Sequence, residues 1–181
     1  MKRLVSIAVF SAIVLAACES TSSLPYQPST QNVLAAQRAL ASSDANLSVG
    51  AFSAADGVGK PTCRLMGQLD IAPGKDVATF IRDAFEAELF QTGRLNDEAP
   101  RVRGVVEAVD VDTVGTGHWT LTLRVASDAN PDGYTVTSTH TFSSSFSAYS
   151  ACQNAATAFN PAVQSLLNAV VTHPEFSSLG S

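Results

Sequence analysis

Residues 102–142 constrain the fold more than any other part of the chain. Three runs of strand composition, Val102 to Val111, His118 to Val125 and Tyr134 to Phe142, are separated only by DTVGTG and by Ala126 with SDANPDG. Parallel neighbours need a crossover of a dozen or more residues, so connections this short require antiparallel pairing. In the middle run Trp119, Leu121, Leu123 and Val125 alternate with Thr120, Thr122 and Arg124, which gives the sheet one buried and one wet face. The rest of the chain must supply what covers the buried face.

Two segments have the composition to do so. In KDVATFIRDAFEAELFQTG, Val77, Phe80, Ile81, Ala84, Phe85 and Leu89 recur at helical spacing with charges opposite, and Gly93 fits a C-terminal stop. The C-terminal SAYSACQNAATAFNPAVQSLLNAVVTHPEF is also helical, with a kink or break expected at Asn160-Pro161 and a stop at His173-Pro174. Upstream, NLSVGAFSA reads as a first strand and CRLMGQLDI as a second, with DGVGKP breaking the chain between them. VLAAQRALA is a short helical segment. The predicted fold is α+β, a single domain over residues 33–181: an antiparallel meander with two main helices packed on one face. No internal repeat interrupts it.

The N-terminus carries a different message. Met1, Lys2 and Arg3 precede an apolar stretch from Leu4 to Ala17, whose 14 residues would rise only about 21 Å as a helix against a hydrocarbon core of roughly 30 Å. That favours a processing signal over a spanning helix. Leu15-Ala16-Ala17-Cys18 resembles the lipobox of bacterial prolipoproteins. The resemblance implies cleavage between Ala17 and Cys18, a diacylglycerol on the Cys18 thiol and a further acyl group on its amine. Glu19 after the cysteine implies the outer membrane rather than the inner. The segment ESTSSLPYQPSTQN reads as a tether, so residues 18–32 are expected to form a lipidated N-terminus and flexible linker.

With Cys18 assigned to lipid, Cys63 and Cys152 remain as an even pair in a chain exported to an oxidising space. A Cys63–Cys152 disulfide is expected, with two buried free thiols as the alternative, because sequence does not show proximity. Loss of Lys2 and Arg3 takes the 11 basic residues to 9 against 16 acidic ones, a net charge of −7. Such a chain gains nothing from phosphate counterion release, which argues against nucleic acid as a partner and against direct attraction to anionic lipid.

A search for chemistry returns only weak patterns. DANPDG begins like a calcium loop, with Asp128, Asn130, Asp132 and Gly133, but its twelfth position is Thr139 where a glutamate is needed. It reads as a hairpin loop. His118, His140 and His173 match no zinc spacing, although His118 and His140 lie near the ends of neighbouring strands and could meet. The acidic side of the first helix, Asp83 and Glu86 with Arg82, reads as a solvated face rather than a carboxylate pair for catalysis. There is no G-x-S-x-G elbow, and GVG at 57–59 lacks the residues of a phosphate loop. No cofactor or metal and no catalytic residue is expected.

GKDVATFIRDAFEAELFQTGRL, GHWTLTLRV and the C-terminal helical stretch together are similar to a group of bacterial lipoproteins of uncharacterised function, and more distantly to the YajG-type lipoproteins. This resemblance implies an envelope lipoprotein with a small α+β domain and brings no catalytic residues. The expected function is a non-enzymatic interaction module, anchored to the membrane by lipid, that docks an envelope protein in envelope maintenance or assembly. The alternative is an auxiliary lipoprotein of a transport system that holds a lipid or small apolar ligand in a cleft between helices and sheet.

Overall fold

The computed structural model describes residues 25–181. It has helices α1 (Thr30–Ser42), α2 (Val77–Gln91) and α3 (Ala148–Val171) and strands β1 (Ser48–Ala54), β2 (Thr62–Cys63), β3 (Gly67–Gln68), β4 (Arg101–Asp112), β5 (Gly117–Ala126) and β6 (Tyr134–Phe142). The main sheet has the order β1-β4-β5-β6, and β4, β5 and β6 form the antiparallel meander that their short turns require. The architecture is α+β with a mixed, mostly antiparallel sheet.

β1 departs from expectation by running parallel to β4. The crossover that such a pair needs is α2, which leaves the small β2–β3 hairpin at one end of the sheet and returns along it. The strand pair is locked by Phe52 on β1, which lies over Gly104: a Cβ there would come within 2.6 Å of the ring. Phe52 in turn meets Phe85 of α2 at 6.1 Å between centroids.

α2 covers β1 and β4, and α3 covers β5 and β6. Their apolar stripes meet the sheet at Phe85, Ile81, Phe159 and Trp119, all essentially buried. The indole N–H of Trp119 donates to Ala155 O at 2.9 Å, so its one polar group is satisfied inside the core. Each helix starts on a side-chain oxygen: Ser29, Asp76 and Ser147 accept from the backbone N–H of Asn32, Thr79 and Ser150.

Three further expectations are corrected. CRLMGQLDI is no strand of the main sheet: Cys63 ends β2, Arg64–Met66 make a 3-10 turn, and Gly67 at φ 81° reverses the chain into β3. α3 is not broken at Asn160-Pro161, where a kink or break was expected, but passes through it as one helix of 24 residues. The buried stripe Ala155, Phe159, Val163, Leu166 runs unbroken past Pro161, so core packing outweighs the roughly 3 kcal/mol that proline costs in a helix interior. Asn160 does not cap a new helix; its side chain donates to Pro25 O at 3.1 Å. Finally, residues 25–32 are a packed strap and the first turn of α1, not the end of a loose tether. α1 lies on α2 and α3 as an outer layer, with Leu40 and Ala36 buried beneath it.

Candidate functional site

Three connections meet at the end of the sheet where β4 and β6 finish: the 64–66 turn, the β4–β5 turn at 113–116 and the β6–α3 loop at 143–147. Arg64 ties them together. Its Nε donates to Thr113 Oγ1 at 2.9 Å, and one terminal nitrogen donates to Ser145 O and Phe146 O at 3.2 and 3.3 Å. The other terminal nitrogen donates to Thr113 O, which also accepts from the Ser144 hydroxyl. A planar guanidinium with five donors suits this bracing of several acceptors in one plane. It also helps offset the φ of 40° at Arg64, a left-handed conformation that disfavours a residue with a Cβ by about 1–2 kcal/mol.

Beside Arg64, Cys63 and Cys152 stand at disulfide distance, their Cα atoms 5.8 Å apart, and join the 64–66 turn to the first turns of α3. The braced loops hold Leu65, Val114 and Phe146 out into water, Leu65 at 96 % exposure, with Met66 half exposed beside them. Burying such a side chain is worth about 1.5–3 kcal/mol, so leaving this crown of four in water forgoes a sizeable apolar contribution. The hollow between Arg64, Val114, Ser144 and Phe146 is its shallow centre.

The most perturbed titratable groups lie elsewhere. Glu88 of α2 is 1 % exposed, and its Oε1 accepts three hydrogen bonds: from Tyr26 OH at 2.5 Å, Ser29 N at 3.0 Å and Asn32 Nδ2 at 3.1 Å. Asn32 also donates to Gln164 O and accepts from Asn168 Nδ2, which links strap, α1, α2 and α3. Burial pushes the Glu88 carboxyl above its ordinary range despite these donors, and burial beside Glu88 pushes the Tyr26 phenol up as well. This is a latch for the strap rather than an open reaction centre. It was legible in part, since Glu88 falls four residues after Ala84 within the apolar stripe of α2, where a carboxylate needs donors.

The other singled-out residues separate. Trp119 pairs with His140 and His118 with Thr141, so the two histidines point to opposite faces and do not meet. His140 instead lies 3.1 Å from Ser165 Oγ, and burial holds its pKa below the ordinary histidine value. In DANPDG, Asn130 Oδ1 accepts from Gly133 N and Asp128 pairs with Arg103, the bonding of a turn. Arg82 grips Glu86 with two bonds of 2.8 Å and also reaches Asp83, as on a solvated helix face. Among the described residues no group of three or more His, Cys, Asp or Glu side chains is placed to hold a metal, and no helix is long and apolar enough to cross a membrane. Ala17 and Cys18 lie outside the described residues.

No family model and no curated protein matches the chain. Among solved structures, a Xanthomonas campestris protein of the family DUF330 superposes with a TM-score of 0.46 at 13% identity, covering 75% of this chain and 84% of that one. At that level the likeness carries neither a function nor a residue over to this chain.

Proposed function

We propose that the chain is a lipid-anchored envelope lipoprotein, facing the periplasm from the outer membrane, whose folded part is a non-enzymatic interaction module. The observation that carries this reading is the sheet face turned away from the helices. Thr120 and Thr122 of β5 stand there beside Thr139 and Thr137 of β6, flanked by Thr135, Thr141 and Arg124. The β6 threonines are exposed, and no described element covers them. β6 also ends the sheet, and an edge strand offers unpaired backbone groups to a partner strand.

An enzymatic reading has less support, because Glu88 and Tyr26 bind each other within the latch. The auxiliary-lipoprotein alternative would place an apolar ligand between helices and sheet, where Trp119, Phe159 and Phe85 already fill the space.

Site-specific photo-crosslinking in intact cells tests the proposal. A crosslinker at Thr137 is expected to give a discrete adduct with one envelope protein, and one at exposed Arg38 on α1 is not. Equal labelling at both positions, or none from Thr135, Thr137 and Thr139, would reject the sheet face as the docking surface. The anchor is checked separately by intact mass: acyl chains on Cys18 and loss of residues 1–17 are expected.

A further inference from the structure

The strap indicates which end of the domain faces the anchor. Gln164 Nε2 holds Gln27 O at 2.7 Å, and Asn160 Nδ2 holds Pro25 O at 3.1 Å. Going back along the chain, the strap therefore climbs α3 toward the helix N-terminus, where the crown is. From Asn160 to Ala148 is about 18 Å of helix at 1.5 Å per residue. The six residues between Cys18 and Pro25 make seven Cα–Cα steps, which span at most about 25 Å. That length is enough for Cys18 to reach the level of the crown, the end toward which residues 25–27 run along α3.

The two ends of the domain also differ chemically. The far end, where α2 finishes and β4 begins, exposes one large apolar side chain, Phe90, and carries the Arg94–Asp44 and Arg103–Asp128 ion pairs with Asp97 and Glu98 close by in sequence. At the crown the Arg64 guanidinium is engaged by loop oxygens and Asp112 accepts from Val114 N, while Leu65, Val114 and Phe146 face water.

Resting on the lipid-anchor reading, we infer that the crown is a membrane-contacting surface: Leu65, Met66, Val114 and Phe146 dip into the bilayer that holds the acyl chains of Cys18. The contact is apolar, as the acidic chain gains nothing from anionic headgroups. A few side chains suffice, because the anchor makes the second contact intramolecular at high effective concentration. Arg64 and the Cys63–Cys152 pair keep the loops in shape for it. The domain would stand end-on, with its open sheet face accessible from the side.

The test uses the full acylated protein in phosphatidylcholine vesicles with brominated acyl chains. Phe146→Trp places a reporter in the crown and Phe90→Trp one at the far end; native Trp119 is buried and supplies a constant background. Residues of an interfacial segment sink about 5–10 Å, so emission from position 146 is expected to shift blue and fall by about half, and that from position 90 to stay unchanged. Floated, acylated protein with an unquenched, water-like signal at position 146 would overturn the inference while leaving the anchor intact. Crosslinking of an unquenched position 146 to an envelope protein or to a second copy would overturn it too, in favour of a protein contact. Absence of acyl mass on Cys18 would remove the anchor reading and this inference together, through a different readout.

Discussion

Glu88 shows how one buried carboxylate organises three helices. Its ordinary pKa is 4.5 in the unfolded chain, and burial raises it in the folded one. Between the two values the folded state holds a proton that the unfolded state has released, so stability falls as pH rises through this window. The contribution is complete below 4.5 and is lost as pH climbs past the raised value. Glu88→Gln keeps an acceptor for Tyr26, Ser29 and Asn32 without a titrating proton. Urea denaturation across this range should therefore show the native protein losing stability relative to Glu88→Gln as pH rises, with the two converging in acid. Glu88→Ala leaves buried donors orphaned and should cost at least about 1–3 kcal/mol at every pH. The stripe position of Glu88 was visible in the sequence, whereas its partners were not: Tyr26 and Ser29 sit in a stretch whose Ser, Thr and Pro content is that of a linker. Composition reports average solubility, and a latch depends on three particular donors.

At the scale of elements, periodicity identified what it physically controls. The α2 stripe and the β5 alternation read correctly because each records a face buried along its whole length. Boundaries that depend on distant contacts did not read so well. The break expected at Pro161 is absent because residues on both sides pack into one continuous stripe, which no local rule contains. α3 thus carries the cost of a proline with no N–H to give the Thr157 carbonyl, and Pro161 is exposed. Pro161→Ala should stabilise the domain by up to about 3 kcal/mol, measured as a shift in denaturation midpoint at unchanged slope. A loss of stability would mean that proline sets a bend the packing needs. The strand expected over Cys63–Ile71 failed for a related reason: Cys63, Leu69 and Ile71 are buried but Leu65 and Met66 face water, so its apolar residues do not share one face. Cys63 and Cys152 close a loop over 89 residues of separation, with a chain-entropy ceiling of about 4–5 kcal/mol. Reduction should lower the stability by no more than that, and hydrogen exchange should rise first in residues 64–66 and 143–150 if the pair braces the crown.

For the molecule as a whole, the meander could be derived from turn lengths, but the place of β1 could not. Short turns fix neighbours, while a strand followed by a helix can return on either side of its sheet, and the contact of Phe52 with Gly104 that settles it joins residues far apart in sequence. The N-terminal strap is the same kind of feature on a larger scale, a segment that looks like a spacer and behaves as part of the domain. Its removal separates the two descriptions. Deleting residues up to Gln27 takes away the Tyr26 bond to Glu88, the edge contact of Tyr26 with Phe80 at 6.3 Å and the backbone acceptors of Asn160 and Gln164. Three hydrogen bonds at about 1 kcal/mol each and a part-buried ring put the loss at roughly 2–4 kcal/mol. A free tether predicts no change. Denaturant melts of the chain with and without the strap, both lacking the signal and acyl groups, compare the two directly. Tyr26→Phe should reproduce part of the loss, since it keeps the ring and removes one donor to Glu88. If the truncated chain melts like the intact one, the strap contributes no binding energy, and its course along α3 says nothing about which end of the domain meets the anchor.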